Sequence, residues 1–211
     1  MTKIEKVTES SLAEAARLLE AGELVAFPTE TVYGLGARAD DGEAVHRIFV
    51  AKGRPEDKPL IVHVRGIEQA RAFTRGWSDE ADKLARAFWP GPLTLVLERA
   101  DHVSDAVTAG GETVAVRAPA HPAAQALLER CAFSIAAPSA NRSGEPPPTR
   151  AEEVMSALAG RIAYVLDGGE TPVKVPSTLV DLTCAPARIL RRGAIEEERI
   201  AALVPIELLP R

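Results

Sequence analysis

Short apolar runs alternate with amphipathic segments along most of the chain. A short, mostly apolar run is typical of a strand buried in a sheet, whereas apolar residues spaced three and four apart indicate a helix. Strands are predicted at 24–27, 60–64, 93–98, 113–117, 133–136, 163–166, 178–182 and 188–190. Helices are predicted at 11–20, 41–52, 78–89, 122–130, 149–160 and 195–203.

Capping residues define the ends of these helices. The sequences 11–14 (Ser-Leu-Ala-Glu) and 149–152 (Thr-Arg-Ala-Glu) have the spacing of capping boxes. Asp41 and Ser78 are predicted N-caps, and Pro122 suits the first turn of its helix. The segment 101–112 is predicted to be a loop, and the exposed Pro-rich segment 142–148 a mobile flap.

The alternation of strands and helices predicts an α/β fold with a twisted mixed β-sheet flanked by helices. The late strands follow one another without helices between them, so a purely parallel sheet is not expected. No internal repeat or linker is visible. We therefore expect a single domain over 1–211, with its core at about 8–205 and no second domain.

Composition narrows the functional classes. The 211 residues are 46% hydrophobic and 26% charged, with a net charge of −5, which does not favour general nucleic-acid binding. Cys131 and Cys184 form no C-x-x-C, and the histidines lack metal-ligand spacing, so no zinc site is predicted. We see no signal peptide and no apolar run of membrane-spanning length, and we expect a cytoplasmic protein.

Polar clusters follow directly after several strand or helix ends. They are 29–36, where Pro28 ends a strand before a Thr-rich Gly-x-Gly turn, 52–55 with Lys58, 139–141, and 176–178. Arg117 and Arg191 end two further strands. If these ends meet at one edge of the sheet, they form a central cleft rich in cations and hydroxyls, which suits phosphates and carboxylates.

Each cluster also has a purely structural interpretation. Lys52 and Arg54 could complement a helix dipole, and Ser139 and Asn141 could satisfy turn backbone. His63 could be a hydrogen-bonded core residue. The chain has no P-loop, no G-x-G-x-x-G before a helix and no G-x-S-x-G, which favours chemistry by positioning and charge rather than by a protein nucleophile.

Four motifs in register resemble the YrdC/TsaC family of L-threonylcarbamoyladenylate synthases. They are Pro-Thr-Glu-Thr-Val-Tyr-Gly-Leu-Gly at 28–36, Lys-Gly-Arg-Pro at 52–55, Phe-Trp-Pro-Gly-Pro-Leu-Thr at 88–94, and Ala-Pro-Ser-Ala-Asn-Arg-Ser-Gly at 137–144. The resemblance extends from about Leu12 to Gly193 and implies a short, single-domain YrdC-like member.

The resemblance implies a nucleotidyltransferase that acts in tRNA processing. L-threonine, bicarbonate and ATP would give L-threonylcarbamoyl-AMP and pyrophosphate, with Mg²⁺ carried on the ATP phosphates and no metal ligand from protein side chains. The product would pass to a downstream threonylcarbamoyl-transferase complex that modifies tRNA adenosine next to the anticodon. A weak direct contact with tRNA would be compatible with this role.

The resemblance also assigns roles to residues. Lys52 and Arg54 would be catalytic. ATP would be bound by Arg54, Lys58, Thr113, Ser139, Asn141, Pro147 and Arg191, and threonine by Thr31, His63, Arg117, Ala137 and Ser177. Arg117 would pair with the threonine carboxylate, and Arg117→Ala is expected to weaken threonine binding and spare the fold.

Two departures and two alternatives remain. Pro176 replaces a common acidic residue, and Arg192 replaces a common proline. One alternative is a non-catalytic RNA-binding or ribosome-associated module that uses the same groove. The other is the carbamoyl-transfer domain of hydrogenase maturation, which normally accompanies zinc fingers and an acylphosphatase unit that this chain lacks.

Overall fold

The computed structural model describes residues 1–207. Its strands are β1 (Lys3–Lys6), β2 (Val25–Pro28), β3 (Tyr33–Arg38), β4 (Ile61–His63), β5 (Leu93–Glu98), β6 (Thr113–Arg117), β7 (Ile135–Ala137), β8 (Tyr164–Asp167), β9 (Thr178–Asp181), β10 (Ala187–Arg191) and β11 (Ile206–Glu207). Its helices are α1 (Glu9–Glu20), α2 (Gly42–Lys52), α3 (Ile67–Arg71), α4 (Asp79–Phe88), α5 (Asp105–Thr108), α6 (Pro122–Arg130), α7 (Ala151–Leu158) and α8 (Glu197–Ala201).

The strands form one sheet in the order β1-β8-β2-β3-β7-β4-β6-β5-β9-β10-β11. The pairs β1–β8, β2–β8, β4–β6, β5–β9 and β10–β11 are parallel, and the other neighbouring pairs are antiparallel. The predicted α/β class with a mixed sheet is confirmed. Strands distant in sequence are neighbours at the centre, so residues from both halves of the chain meet there.

Buried apolar side chains pack in two clusters. The larger includes Ile48 of α2, Leu84 of α4 and Val116 of β6. The smaller includes Leu19 of α1 and Leu127 of α6, together with residues from the sheet. Within residues 1–207, no helix combines the length and apolar character needed to cross a bilayer.

The predicted caps of three helices are confirmed. The Asp41 side chain accepts hydrogen bonds from Glu43 N and Ala44 N, and Ser78 accepts one from Ala81 N. Pro122 occupies the first turn of α6. Gly53 ends α2 with φ of 60°, a left-handed conformation that glycine adopts without strain.

The two predicted capping boxes are displaced. At α1 the N-cap is Thr8, whose hydroxyl accepts from Ser11 N at 3.1 Å while Ser11 Oγ accepts from Thr8 N at 2.8 Å. At α7 the acid is Glu153, which accepts from Thr149 N at 2.6 Å, rather than Glu152. Serine and glutamate can both fill the reciprocal position, so several registers fit the same sequence.

The prediction of a Thr-rich Gly-x-Gly turn at 29–36 is wrong in its second half. Only residues 29–32 form the turn, because Tyr33–Arg38 is strand β3 and pairs antiparallel with β2. Gly36 is required by packing, since a Cβ there would lie 2.7 Å from Ile135 Cγ2 and 2.9 Å from Phe27 Cε1. Pro28 takes the last position of β2, so the strand ends at this proline directly before the turn.

Smaller elements also depart from the predictions. The predicted loop 101–112 contains α5, which Ser104 caps, and the predicted last helix is confined to Glu197–Ala201. The elements β1, α3 and β11 were not predicted. They are short, so they give too few repeats for a periodic pattern to be visible.

Candidate active site

A cavity of about 330 Å³ lies against the centre of the sheet. Seven strands contribute side chains to its wall, namely β3, β4, β5, β6, β7, β9 and β10, together with the turn at 29–32 and the loop at 138–147. The wall therefore draws on residues from Thr29 to Arg191, and the fold alone brings them together.

Ten of the thirteen predicted site residues line this cavity. They are Thr31, Arg54, His63, Thr113, Arg117, Ala137, Ser139, Pro147, Ser177 and Arg191. Lys52, Lys58 and Asn141 are not part of its wall. The predicted convergence of hydroxyls and cations on one central cleft is therefore present, and the individual roles stay predictions.

The turn at 29–32 presents a hydroxyl oxygen to the cavity. Thr29 Oγ1 donates to Val32 O at 2.6 Å and lies 2.9 Å from Thr31 Oγ1. Because the Thr29 proton is already used, the Thr31 hydroxyl must donate to Thr29. The lone pairs of Thr31 then remain available to accept a hydrogen bond from a ligand.

Arg117 lies in a buried ion pair with Glu30. The Arg117 Nη2–Glu30 Oε1 distance is 2.7 Å, with side chains 5% and 8% exposed, although the angle is not that of a hydrogen bond. Arg117 Nε donates to Gly91 O at 3.3 Å, and Glu30 Oε2 accepts from Ala120 N at 3.0 Å. Burial lowers the pKa of Arg117, and the Glu30 carboxylate opposes that shift.

His63 is an uncharged member of the wall. Burial first, and then the charge of Arg117, lower the pKa of His63 to about 3. Its Nδ1 lies 3.3 Å from the Ile61 carbonyl oxygen, and its ring meets that of Phe27 edge-on at 5.8 Å. A neutral imidazole can orient a ligand by hydrogen bonding without adding charge to the site.

Two further residues of the cavity wall, Arg191 and Ser177, are hydrogen-bonded to each other. Arg191 Nε donates to Ser177 O at 3.0 Å, and Arg191 Nη2 donates to Ser177 Oγ at 2.9 Å. Desolvation first, and then repulsion from Arg117, lower the pKa of Arg191. The two guanidinium groups thus share one electrostatic environment, which favours an anionic ligand between them.

Lys52 acts on the cavity through the loop that follows β7. Its Nζ donates to Ser139 O at 2.5 Å and to Asn141 O, while its own carbonyl accepts from Ser143 N at 2.9 Å. Burial first, and then repulsion from Arg54, lower the pKa of Lys52 to about 7. Lys52 therefore fixes the backbone that carries Ser139.

Asn141 completes the same loop. Ser139 Oγ donates to Asn141 Oδ1 at 2.5 Å, and Asn141 Nδ2 donates to Arg142 O at 2.7 Å and Glu145 O at 2.8 Å. These bonds hold the first half of the exposed segment 142–148 that was predicted to be a flap.

Arg54 is the cation at the α2 side of the cavity. Its Nη2 donates to Pro59 O at 3.2 Å and to Lys58 O at 3.5 Å, whereas its buried Nε has no partner within the described residues. Burial lowers the pKa of Arg54. An unpartnered buried donor costs free energy, so this N–H is well placed to gain a ligand acceptor.

An apolar wall was not predicted. Val96, Ala115, Leu179 and Leu190 line the cavity, and Leu190 is 54% exposed. The residues belong to β5, β6, β9 and β10, so only the pairing of these strands brings them together. The period-two spacing within each strand was the available signal.

Pro176 and Arg192, the two residues that depart from the family pattern, lie in different parts of the structure. Pro176 lines the cavity next to Ser177. Arg192 lies at the surface, where its Nε donates to Glu197 at 2.6 Å. The Pro176 substitution therefore bears on the site, and the Arg192 substitution does not contribute to the cavity wall.

A family model, curated relatives and solved structures all match this chain. The Sua5/YciO/YrdC family model, described as telomere recombination, matches residues 17–193. Threonylcarbamoyl-AMP synthases of Pyrococcus abyssi and Bacillus subtilis are each 50% identical, over 95% and 93% of this chain. The crystal structure of P. abyssi Sua5 complexed with L-threonine matches 98% of this chain with a TM-score of 0.94 and 47% identity.

These relatives are longer than the present chain. The chain spans 59% of the P. abyssi synthase, 57% of the B. subtilis synthase and 63% of the solved P. abyssi chain. The similarity thus covers the domain described above and not the remaining parts of those proteins.

Proposed function

Because the chain belongs to the Sua5/YciO/YrdC family, we propose that it is an L-threonylcarbamoyladenylate synthase. It forms L-threonylcarbamoyl-AMP, pyrophosphate and water from L-threonine, bicarbonate and ATP. The observation that carries this proposal is that Thr31, Arg54, Arg117 and Ser139 line one cavity. The L-threonine named in the P. abyssi Sua5 structure supports an amino-acid site in this domain.

The cavity chemistry is compatible with this reaction. The threonine amine combines with bicarbonate to give a carbamate, whose oxygen attacks the α-phosphorus of ATP as pyrophosphate leaves. No protein nucleophile takes part, so the chain must orient two substrates and stabilise developing negative charge. Mg²⁺ enters with ATP as part of that substrate.

Each side of the cavity suits one substrate. On the buried side we place threonine, with its carboxylate at Arg117, its polar groups at Thr31 and Ser177, and the neutral His63 and the Ala137 backbone beside it. On the α2 side, Arg54 and the loop of Ser139 would receive the phosphates. The apolar wall with Leu179 and Leu190 has the character that a purine face requires.

The remaining predicted ATP contacts fall into two groups. Thr113, Pro147 and Arg191 lie on the cavity wall, where they can touch the nucleotide. Lys52 and Asn141 would act by holding the Ser139 loop. Lys58 is exposed outside the wall and would reach the phosphates only by extending its side chain toward Arg54.

We also propose the cellular role that the reaction implies. The product is an activated acyl-adenylate, which a threonylcarbamoyl transferase would consume to modify the adenosine beside the tRNA anticodon in the cytoplasm. A direct contact with tRNA would be weak, because the chain has a net charge of −5.

The decisive experiment measures pyrophosphate release by the purified chain. We expect release that requires ATP, threonine and bicarbonate together, and the Arg54→Ala variant should raise the apparent KM for ATP. Release that continues without threonine or bicarbonate would contradict the proposal. Tight RNA binding without any turnover would favour the non-catalytic alternative instead.

A further inference from the structure

The inference concerns Thr94, a residue outside the cavity wall. Thr94 lies on β5 and is fully buried, and its hydroxyl is 2.7 Å from Ser177 Oγ. Within residues 1–207 its side chain has no other hydrogen-bond partner. Ser177 is also buried, with 1% of its surface exposed, and it lines the cavity.

Hydrogen-bond accounting fixes the direction of this contact. Arginine has only donors, so Ser177 Oγ must accept the bond from Arg191 Nη2 at 2.9 Å. If Ser177 also donated to Thr94, the buried Thr94 proton would have no acceptor, which is costly. Ser177 lines the cavity and can direct its own proton into it, whereas Thr94 does not reach the cavity, so the favoured arrangement has Thr94 donating to Ser177.

The proton of Ser177 is then left for the cavity. Ser177 Oγ accepts from Thr94 and from Arg191, and both of its lone pairs are used. No acceptor for its own proton lies in the described part of the protein. We propose that Thr94 is a positioning residue that makes Ser177 a hydrogen-bond donor toward the ligand.

The backbone around Ser177 leaves little else to adjust. Thr178 N donates to Pro92 O at 3.0 Å. Thr178 Oγ1 donates to Ile195 O at 2.8 Å and accepts from Ile195 N at 2.9 Å. On the other side of Ser177, Pro176 O accepts from Ala194 N at 3.1 Å. With the main chain held on both sides, the hydroxyl torsion of Ser177 is the remaining freedom, and Thr94 removes it.

The residues around Ser177 indicate which kind of ligand atom accepts its hydrogen bond. A donor beside two guanidinium groups, those of Arg117 and Arg191, faces an oxygen with negative charge. This inference rests on the proposed function, under which that oxygen belongs to the carboxylate or the nascent carbamate of threonine. Ser177 and Thr31 are then complementary, the first donating to the amino acid and the second accepting from it.

The test uses the isosteric variant Thr94→Val in the full chain. We expect the KM for threonine to rise about fivefold, which is the loss of one hydrogen bond of ordinary strength, with kcat and the KM for ATP unchanged. Thr94→Ser keeps the hydroxyl and should restore the threonine KM. Circular dichroism and thermal unfolding check that both variants are folded.

A double-mutant comparison separates positioning from packing. If Thr94 acts only through Ser177, Thr94→Val should change the threonine KM less than twofold in a Ser177→Ala background. An equal effect in both backgrounds, failure of Thr94→Ser to rescue, or parallel rises in both KM values would overturn the inference. So would an unchanged threonine KM in folded Thr94→Val.

Failure of the proposed function is distinguishable from failure of this inference. If the wild-type chain releases no threonine-dependent pyrophosphate, calorimetric titration with L-threonine still decides the role of Thr94 through the same four variants, namely Thr94→Val, Thr94→Ser, Ser177→Ala and the double variant. A wild-type chain that does not bind threonine at all overturns both.

Discussion

Lys52 places an ammonium group where water has almost no access. The residue is 3% exposed, and its pKa is lowered from 10.5 to about 7, first because of burial and then because of Arg54. Between these values the unfolded chain binds more protons than the folded chain, so the contribution of Lys52 to stability rises with pH. Below pH 7 the penalty for burying the charge is complete.

The pH dependence can be measured against Lys52→Met, which keeps the length and removes the charge. From pH 7 to pH 9 we expect the free energy of unfolding of wild type, relative to the variant, to increase by up to about 2.7 kcal/mol. Urea unfolding at several pH values gives this difference. A difference that stays constant over that range would contradict a lowered pKa.

Arg117 and Glu30 depend on each other for stability. The expectation that Arg117→Ala spares the fold does not take account of this pair, because its Glu30 partner was not predicted. With Arg117 removed, Glu30 would stay 6% exposed without a counter-charge. Loss of one member of a buried pair costs about 3–5 kcal/mol.

We therefore expect Arg117→Ala to lower the unfolding free energy by about that amount, in addition to weakening threonine binding. The double variant with Glu30→Gln removes the stranded carboxylate and should recover part of the loss. Chemical denaturation of the three proteins provides the test. Equal stability of wild type and Arg117→Ala would show that the pair carries no stabilising role.

Strand β3 forms part of the cavity wall and also contacts the loop that follows β8. It brings Tyr33 and Gly34 into the cavity wall, and Tyr33 OH donates to Gly169 O at 2.7 Å and accepts from Gly168 N at 3.2 Å. Burial raises the pKa of Tyr33 to about 12, so its phenol stays neutral. The strand thus connects the cavity to the loop after β8.

The close packing of β3 predicts the effect of a single methyl group. In Gly36→Ala, the new Cβ would lie 2.7 Å from Ile135 Cγ2 and 2.9 Å from Phe27 Cε1, so the core must shift at a cost of about 1–3 kcal/mol. Gly42→Ala is a matched control, since its Cβ would meet nothing nearer than 3.8 Å.

Thermal unfolding compares the two glycine variants. We expect Gly36→Ala to lose stability and Gly42→Ala, at the start of α2, to retain or gain it. A Gly36→Ala protein as stable as wild type would mean that β2, β3 and β7 can separate without cost.

Local patterns predicted some elements to the residue. Strands β5 and β6 and helix α6 have the predicted ends, because charged residues or proline bound their apolar runs. Strand β3 was missed because its Gly-x-Gly resembles a turn, and the reason for those glycines lies in Phe27 and Ile135. Packing between strands is not visible in a local pattern.

At the scale of the whole molecule, an acidic protein concentrates cations inside one cavity. Most surface arginines and lysines lie in ion pairs, such as Arg38–Asp40 at 2.8 Å and Arg188–Glu207 at 2.6 Å. Such exposed pairs contribute little to stability. They do reduce the positive potential elsewhere. Arg54 and Arg191 lie on the cavity wall without an ion pair within the described residues, so they attract a small anionic ligand to the cavity.

The candidate site was predictable only in part. The polar clusters indicated an anion site from the residues alone, whereas the assignment of Thr31, His63 or Ser177 to threonine depended on the resemblance. Glu30 and Thr94 were not identified, because their partners lie 87 and 83 positions away and depend on the sheet register. The sequence therefore predicted the chemical groups of the site, but not the contacts between side chains on different strands.

The pairing of β9 with β5 has a consequence for biosynthesis. These parallel strands align Leu93 with Thr178, and Arg191 then fastens Ser177. A nascent polypeptide emerging from the ribosome consequently has an open, unfinished pocket until residue 191 has left the exit tunnel. Non-local parallel pairing is slow to form, so we expect the newly made protein to acquire its ligand affinity only after β5 and β9 have paired.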